Sequence, residues 1–207
     1  MNRRTLGRTG LEIGVLGIGT EYLNGQDAET YDAVLHTAAE CGVNYIDVLF
    51  AFSDYRDKLA AAMRGIRDKF VITGHIGCAE TDGQYRKSRD AAESEIIFDD
   101  LLNRLGTDYI DVVMIQFVDG EKDYERIMRS GGLYELAARL QRSGKARFIG
   151  ISTHDYAIAE RAAASGNYDL IMYLIGIILF PIPNEGMLAA CDETVRGRQA
   201  FRLLQGA

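Results

Sequence analysis

Residues 106–119 read GTDYIDVVMIQFVD, and the apolar run inside this stretch, from Tyr109 to Phe117, decides the fold. A compact run of β-branched and other apolar residues, preceded by the helix breaker Gly106, is typical of a strand that is covered on both faces. Strands of this kind occur in parallel sheets, where a crossover helix connects each strand to the next. The stretch therefore predicts an α/β fold.

The same alternation of strand and helix extends through the chain in both directions from this stretch. A turn over residues 7–10 predicts an N-terminal β-hairpin, and a last helix is predicted over residues 186–204. We count six βα units between them, which predicts parallel strands joined by crossover helices. The predicted strands are Val15–Gly19, Tyr45–Leu49, Phe70–His75, Tyr109–Phe117, Arg147–Ser152 and Leu170–Leu179.

The helical segments between the strands carry their apolar residues on one stripe, as residues 91–105 do. No internal repeat, low-complexity segment or linker interrupts the pattern, so we expect a single domain over residues 1–207. The residues at helix ends agree with this pattern, since Asp favours N-caps and Gly favours C-termini. The predicted N-caps are Asp27 and Asp155, and the predicted ends are Gly42, Gly106, Gly144 and Gly166.

Composition and charge argue against nucleic acids and membranes as binding partners. The 207 residues are 47% hydrophobic and 26% charged with a net charge of −7, and no Lys/Arg-rich block occurs. Nucleic acids and anionic membranes need clustered positive charge, so we expect a small molecule or another protein as partner. The longest apolar run, Leu170–Phe180, is too short to span a bilayer and no signal peptide is visible, which predicts a cytoplasmic protein. Cys41, Cys78 and Cys191 are widely separated, which predicts reduced cysteines and neither a disulfide framework nor a metal site.

Four segments of the chain stand out: RRTLGRTGLEIGVLGIGT at 3–20, GVNYID at 42–47, GTDYIDVVMIQFVD at 106–119 and GKARFIGISTH at 144–154. In their order and spacing they resemble landmarks of the aldo-keto reductases. The resemblance implies a (β/α)8 TIM-barrel fold that is incomplete, because six units are present and a closed barrel needs eight. If 207 residues is the natural length, we expect a second copy, a partner chain or a local rearrangement to cover the first and sixth strands. A truncated gene is the alternative.

The resemblance also places catalytic positions at the carboxyl ends of the strands. In the family, Asp, Tyr, Lys and His act there, with Tyr donating a proton while a nicotinamide donates hydride. The Asp is Asp47 here, whereas the Tyr position is Phe52, the Lys position is His75 and the His position is Gln116. Three of the four positions are therefore replaced, and Tyr55 is the nearest phenol to the replaced tyrosine.

The replaced positions nevertheless keep polar side chains at the tips of otherwise apolar strands. An imidazole at His75 titrates near neutral pH, and a neighbouring Asp47 favours its charged form. The amide of Gln116 is able to orient a carbonyl group but does not titrate. The structural alternatives are a satisfied core histidine for His75, a helix cap or loop hydrogen bond for Asp47, and a packing role for Tyr55.

A nicotinamide site is implied by the same resemblance, with NADP(H) as the expected cofactor. Ser152 and Thr153, after the fifth strand, are expected to hold the carboxamide, and Gly19 and Thr20 lie at the end of the first strand. Helix capping after the fifth strand explains Ser152 equally well. The sixth strand, which carries amide side chains in the family, is apolar here.

One branch of the family has further similarity to this chain. Residues 74–77, 82–85, 89–90 and 98–102 resemble aldo-keto reductases that carry a C-terminal iron–sulfur extension. Such a cluster needs closely spaced cysteines, which do not occur in this sequence, so no cluster is predicted. In that branch His75 is a subfamily trait.

Three functions are consistent with these observations. The first is NADP-dependent reduction of a small carbonyl substrate, in which Asp47 and His75, helped by Tyr55, replace the usual acid. The second is a noncatalytic relative that binds a ligand or a protein. The third is acid–base chemistry at His75 and Asp47 without hydride transfer, as in an isomerase or lyase. Cofactor binding distinguishes the first function from the other two.

Overall fold

The computed structural model describes residues 2–6, 9–174 and 198–201. Its strands are β1 (Arg3–Thr5), β2 (Glu12–Gly14), β3 (Ile18–Gly19), β4 (Tyr45–Val48), β5 (Val71–Ile76), β6 (Cys78–Thr81), β7 (Gln84–Lys87), β8 (Ile110–Ile115), β9 (Ala146–Thr153), β10 (Leu170–Leu174) and β11 (Arg198–Phe201). Its α-helices are α1 (Ala28–Glu40), α2 (Ser53–Ala62), α3 (Ala91–Leu105), α4 (Glu121–Met128), α5 (Leu133–Arg142) and α6 (Tyr156–Ser165).

A parallel sheet organises the described part of the chain, in the order β11-β10-β9-β8-β5-β4-β3. Each strand pairs in parallel with its neighbour. The hairpin of β1 and β2 is separate and antiparallel, as predicted. Because the strands follow one another around the sheet and helices connect them, the fold is an incomplete (β/α)8 barrel, which confirms the predicted fold class.

Two cores lie on the two faces of this sheet. The outer core joins the strands to the helices, and its largest buried residues come from both layers. The inner core fills the barrel interior, and the N-terminal hairpin covers it from the amino ends of the strands. Successive side chains of a strand point to opposite faces of the sheet, so they alternate between the inner core and the outer core. The inner core contains Leu6, Leu11, Ile13, Tyr45, Val112, Met114 and Leu170.

Three of the residues predicted to cap helices do so in the structure. The carboxylate of Asp27 accepts a hydrogen bond from the backbone N–H of Thr30 at 2.8 Å, and Asp155 accepts one from Ala157 at 2.9 Å. Gly106 ends α3 in the left-handed conformation, where a Cβ would be unfavourable. The Asp27, Asp155 and Gly106 predictions are therefore confirmed.

The sequence prediction of the first strand was too long. Only Ile18 and Gly19 pair with β4, while Val15 and Leu16 are 52% and 57% exposed. Residues 12–14, which precede this segment, belong to the hairpin instead. The N–H of Gly14 donates to Asn44 Oδ1 at 2.7 Å. The chain therefore passes from hairpin to sheet through residues 15–17, where the N–H of Val15 donates to the carbonyl of Asn2 at 3.1 Å and no residue pairs with β4.

The predicted last helix over residues 186–204 was wrong at its carboxyl end, because Arg198–Phe201 form the strand β11. This segment pairs with the edge of β10, where unpaired backbone groups favour an added strand. The sixth predicted strand is therefore not an open edge. Residues 175–179 of that predicted strand lie outside the described residues.

Candidate active site

Four polar side chains lie at the carboxyl end of the barrel interior, on four strands that are neighbours in the sheet. Asp47, His75 and Ser152 belong to β4, β5 and β9, and Gln116 directly follows β8. Each occupies an interior position by strand alternation, since Tyr45 and Met114, two residues earlier on their strands, belong to the inner core. The site therefore forms a polar layer above an apolar one. All four side chains are buried.

His75 and Asp47 form the shortest contact in this layer. Nε2 of His75 lies 2.7 Å from Oδ1 of Asp47, and the two side chains are 1% and 11% exposed. The carboxylate accepts the proton on Nε2, which leaves Nδ1 to accept in the neutral ring or to donate in the cation. Nδ1 is buried and has no hydrogen-bond partner among the described residues. The pair therefore presents one free nitrogen that is able to take or give a proton.

The amide of Gln116 is the second group without an internal partner. Gln116 is fully buried, and neither Oε1 nor Nε2 has a hydrogen-bond partner in the described part of the chain. Its backbone N–H donates to the carbonyl of Ile76 at 3.0 Å, which fixes the residue beside β5. An unpaired buried amide costs about 1–3 kcal/mol. A water molecule or a ligand that bonds to the amide would recover this cost.

Tyr55 lies in the outer core, where its hydroxyl is already engaged. The hydroxyl bonds to Oγ1 of Thr20, which donates to the carbonyl of Asp47 at 2.7 Å. The Tyr55 side chain is fully buried, and this burial raises its pKa well above the ordinary value of 10.0. The structure thus places Tyr55 and Thr20 behind the end of β4, where they hold the backbone that carries Asp47.

Phe52 occupies the position of the family tyrosine and lies at the start of α2. Its ring packs on Phe50 with a centroid distance of 5.0 Å, so this side of the site is apolar. The other end of the site is open near Gly19, which pairs with Asp47. No atom of the described residues lies within 4 Å of where a Cβ of Gly19 would be.

The predicted carboxamide residues have different partners in the structure. Oγ of Ser152 accepts the backbone N–H of Phe117 at 2.9 Å and keeps its own hydrogen to donate. Oγ1 of Thr153 donates to Asp119 Oδ1 at 3.2 Å and accepts the N–H of Asp155 at 3.0 Å. The hydroxyl of Thr153 is therefore committed to the turn that starts α6, whereas Ser152 remains able to bind a ligand.

A second His–Asp pair lies at the rim. Oδ2 of Asp119 is 3.1 Å from Nδ1 of His154, and Oδ1 accepts the backbone N–H of His154 at 2.8 Å. Burial opposes the charged form of Asp119, but these bonds and the nearby imidazole outweigh it and lower the pKa of the carboxyl. The pair joins the loop after β8 to the end of β9.

Glu21, which the sequence analysis did not single out, is close to the buried pair. It follows Thr20 in a short 3-10 turn after β3. Partial burial and then the charge of Asp47 raise the pKa of the Glu21 carboxyl, while the charge of His75 acts in the opposite direction. The Glu21 carboxyl therefore lies within electrostatic range of the Asp47–His75 pair.

Arg89 is a further residue that the sequence analysis missed. Its guanidinium binds both carboxylate oxygens of Asp123 at 2.7 and 2.6 Å and donates to the carbonyl of Phe117 at 2.9 Å. It also donates to the carbonyl of Gly77 at 3.3 Å. Phe117 has a positive φ of 46°, which is unfavourable for a bulky side chain. Since Gly77 follows His75 by two residues and Phe117 follows Gln116, Arg89 ties together the two strand ends that carry the free polar groups.

A row of aromatic rings lies along the rim of the site. Tyr85 stands between Phe50 and Phe117, at centroid distances of 6.1 and 6.5 Å. The row continues from Phe117 to His154 at 4.8 Å. The rings meet in edge-to-face or tilted geometry, which stabilises aromatic pairs. Tyr85 lies on the hairpin of β6 and β7, whose Asp82-Gly83 turn is a strong hairpin signal in the sequence.

The fold and the site together define a βα-barrel protein with a layer of buried polar side chains at the carboxyl ends of its strands, the usual place for catalysis in such barrels. The sequence profile of the aldo/keto reductase family matches residues 11–199. The chain belongs to the aldo/keto reductase family. This confirms the family suggested by the four sequence landmarks.

Several known proteins are similar to the chain. A crystal structure from Pseudomonas aeruginosa with an aldo-keto reductase assignment is 26% identical with a TM-score of 0.81, over 95% of this chain and 76% of that one. The holo form of aldo-keto reductase AKR11C1 from Bacillus halodurans shares the fold, with a TM-score of 0.72, 24% identity, and coverage of 84% and 58%. The pyridoxal 4-dehydrogenase of Microbacterium luteolum is 22% identical over 81% of this chain. The match spans 60% of the length of that curated relative.

None of the helices described is both long enough and apolar enough to cross a membrane. Within the described residues, no group of three or more His, Cys, Asp or Glu side chains is arranged to hold a metal ion.

Proposed function

We propose that the chain is an NAD(P)H-dependent oxidoreductase that reduces a carbonyl group, with His75 as the proton-transferring residue. The observation that carries this proposal is the buried contact of 2.7 Å between His75 and Asp47, which leaves Nδ1 of His75 without a partner among the described residues. The family tyrosine is Phe52, and Tyr55 is bound to Thr20. The imidazole therefore replaces a phenol as the acid.

The proposed reaction uses the imidazolium form of His75. Asp47 stabilises this cation through the proton on Nε2, and the proton on Nδ1 is given to the substrate oxygen as the carbonyl carbon is reduced. In the reverse direction, the neutral ring takes the proton from the alcohol at Nδ1. Gln116 orients the carbonyl through its free amide N–H. The buried position of the pair keeps water from competing for the proton.

Ser152 and Gly19 are the residues that fit a nicotinamide in this site. Ser152 has a hydrogen to donate to the carboxamide, and the space beside Gly19 is open where a Cβ would be. The hydroxyl of Thr153 does not contribute, because the turn before α6 already uses it. When bound, the nicotinamide supplies the hydride.

The similarity to a pyridoxal 4-dehydrogenase, named for the oxidation of pyridoxal, makes pyridoxal a suitable first molecule to test in both directions, as an aldehyde to be reduced with NAD(P)H and as a hydride donor to NAD(P)+. Pyridoxal is a flat aromatic aldehyde, and the rim of the site is formed by aromatic rings. We propose small aromatic aldehydes as the substrate class to screen, beginning with this molecule.

The test is a titration of the purified chain with NADPH, followed by nicotinamide fluorescence at a concentration where the oligomeric state is known. Saturable binding, together with NADPH consumption in the presence of pyridoxal or another aldehyde of the screen, is the expected result. Absence of binding refutes the proposal and leaves either acid–base catalysis without hydride transfer or a noncatalytic relative that binds another ligand or a partner chain. Light scattering on the same sample shows whether a homo-oligomer is the binding species.

A second candidate function is acid–base catalysis without hydride transfer, as in an isomerase or lyase. It is favoured by the same free Nδ1 and by Glu21, a second carboxyl group near Asp47 whose pKa is raised by burial. This function needs no nicotinamide. NADPH binding therefore separates the two candidates before any substrate is known.

A further inference from the structure

The hairpin of β6 and β7 turns one face toward the site. Residues that are directly opposite on antiparallel strands share a face, so Tyr85 and Glu80 lie on the same side as Cys78 and Lys87. Cys78 is buried and its thiol donates to the carbonyl of Leu49 at 3.5 Å, next to β4. Lys87 Nζ donates to the carbonyl of Phe117, next to β8, at 2.6 Å. This face therefore lies against the loops on both sides of β5.

The ring of Tyr85 lies above the strand that carries His75. The ring contacts Phe50, from the loop after β4, and Phe117, from the loop after β8. In the sheet, β5 lies between β4 and β8. A ring that bridges these two loops crosses the carboxyl end of β5, where His75 is located.

Tyr85 is one of four described tyrosines, with Tyr31, Tyr156 and Tyr173, whose buried hydroxyl has no hydrogen-bond partner among the described residues, and of these four it is the one whose ring contacts Phe50 and Phe117. The Tyr55 hydroxyl bonds to Thr20 and the Tyr45 hydroxyl bonds to Thr73. The Tyr85 hydroxyl is buried, yet no described residue provides a hydrogen-bond partner for it. Burial raises the pKa of Tyr85 to about 12, so the group is a neutral donor at physiological pH.

We propose that the hydroxyl of Tyr85 binds the substrate, and that the hairpin from Cys78 to Lys87 forms the wall of the substrate pocket. The substrate class is a planar aromatic carbonyl or alcohol, because Phe50, Tyr85 and Phe117 form a row of aromatic rings in contact with one another on this side of the site. A polar substituent on the aromatic ring bonds to the free hydroxyl, while Gln116 and His75 bind the reacting oxygen. This inference rests on the proposed function for the identity of the reacting oxygen.

The experiment compares Tyr85→Phe with Tyr109→Phe, which removes the same oxygen from an exposed tyrosine at the amino end of β8. The dissociation constants of pyridoxine and benzyl alcohol are measured by ligand-observed NMR without cofactor. Tyr85→Phe is expected to weaken pyridoxine binding about threefold to tenfold, the effect of one neutral hydrogen bond, and Tyr109→Phe to leave it unchanged. Benzyl alcohol, which has no substituent for the hydroxyl to bind, is expected to bind both variants like the wild type.

Equal pyridoxine affinity in Tyr85→Phe and wild type would overturn the proposal, as would a wild-type chain that binds neither alcohol. Unfolding in urea provides the second readout. Since the Tyr85 hydroxyl has no described partner, its removal is expected to leave the unfolding midpoint unchanged or higher, and a lower midpoint would show that the hydroxyl has an internal partner instead. Because pyridoxine binding is measured without NADPH, its result does not depend on hydride transfer. A failure of the Tyr85 contact is therefore distinguished from a failure of the proposed reaction.

Discussion

Replacing Arg89 with Met removes the residue that ties the loop after His75 to the loop after Gln116. The Arg89 side chain is 3% exposed and its partner Asp123 is 17% exposed, so the pair is largely excluded from water. Removing one partner of a buried ion pair costs about 3–5 kcal/mol. In Arg89→Met, Nζ of Lys87 still lies 3.3 Å from Asp123 and compensates part of its charge. The free energy of unfolding is therefore expected to fall by about 3 kcal/mol, the lower end of this range.

Urea unfolding followed by circular dichroism measures this cost, and Arg139→Met provides the control. Arg139 pairs with Glu95 at 2.7 Å, but the two side chains are 42% and 40% exposed. An exposed pair contributes about 0–1 kcal/mol, so this variant is expected to unfold close to the wild type. Arg89→Lys, which keeps the charge but not the paired donors, is expected to fall between the two. Equal costs for Arg89→Met and Arg139→Met would refute the reasoning.

The difference in the free energy of unfolding between the wild type and Arg89→Met is expected to depend on pH, because the partner of Arg89 is the carboxyl of Asp123. Burial opposes ionisation of Asp123, but the hydrogen bond and charge of Arg89, with help from Lys87, lower the pKa of the carboxyl below its ordinary value of 3.8. A lowered folded-state pKa stabilises the protein above the unfolded value, and this stability is lost as the pH falls through the folded value. The gap between wild type and Arg89→Met is therefore expected to be constant above about pH 5 and to shrink below pH 3.8.

Substitutions at Tyr55 and Gly77 test two contacts that hold the strand ends of the site in position. Tyr55→Phe is expected to lower the free energy of unfolding by about 1 kcal/mol, because the bond to Thr20 is lost, and an unchanged unfolding midpoint would contradict that contact. Gly77→Ala places a Cβ 2.7 Å from Nη1 of Arg89 at a φ of +92°, whereas Gly83→Ala has a φ of +74° and open space. Gly77→Ala is therefore expected to cost about 1–3 kcal/mol more than Gly83→Ala in the same assay, and equal costs would contradict it.

Local chemistry explains why much of the barrel is predictable from the sequence. The runs around β4, β5, β8 and β9 combine apolar strands with Asp or Gly at the adjoining helix ends, so their positions depend mainly on neighbouring residues. The polar layer follows from the same pattern, because Asp47 and His75 are the last residue but one of β4 and β5, and Gln116 directly follows β8. The sequence therefore predicts which side chains line the carboxyl end of the barrel.

Contacts between distant segments explain what was not predicted. The role of Tyr55 depends on Thr20, which lies 35 residues earlier, and Arg89 acts through Asp123, 34 residues later. The hairpin of β6 and β7 has a local signal in its Asp82-Gly83 turn, but its position over the site depends on Lys87 and Cys78 contacting two other loops. These contacts decide which phenol lies at the rim, and no periodicity in the sequence encodes them.

The most direct test of the central claim is the rate of NADPH-dependent aldehyde reduction by the wild type and by His75→Ala, with cofactor binding measured on both. Loss of a general acid costs about a hundredfold or more in turnover. The proposed function predicts such a loss in His75→Ala, with an unchanged dissociation constant for NADPH and an intact fold by circular dichroism. Equal turnover in the two chains, or a wild type that never consumes NADPH, would contradict the role assigned to His75.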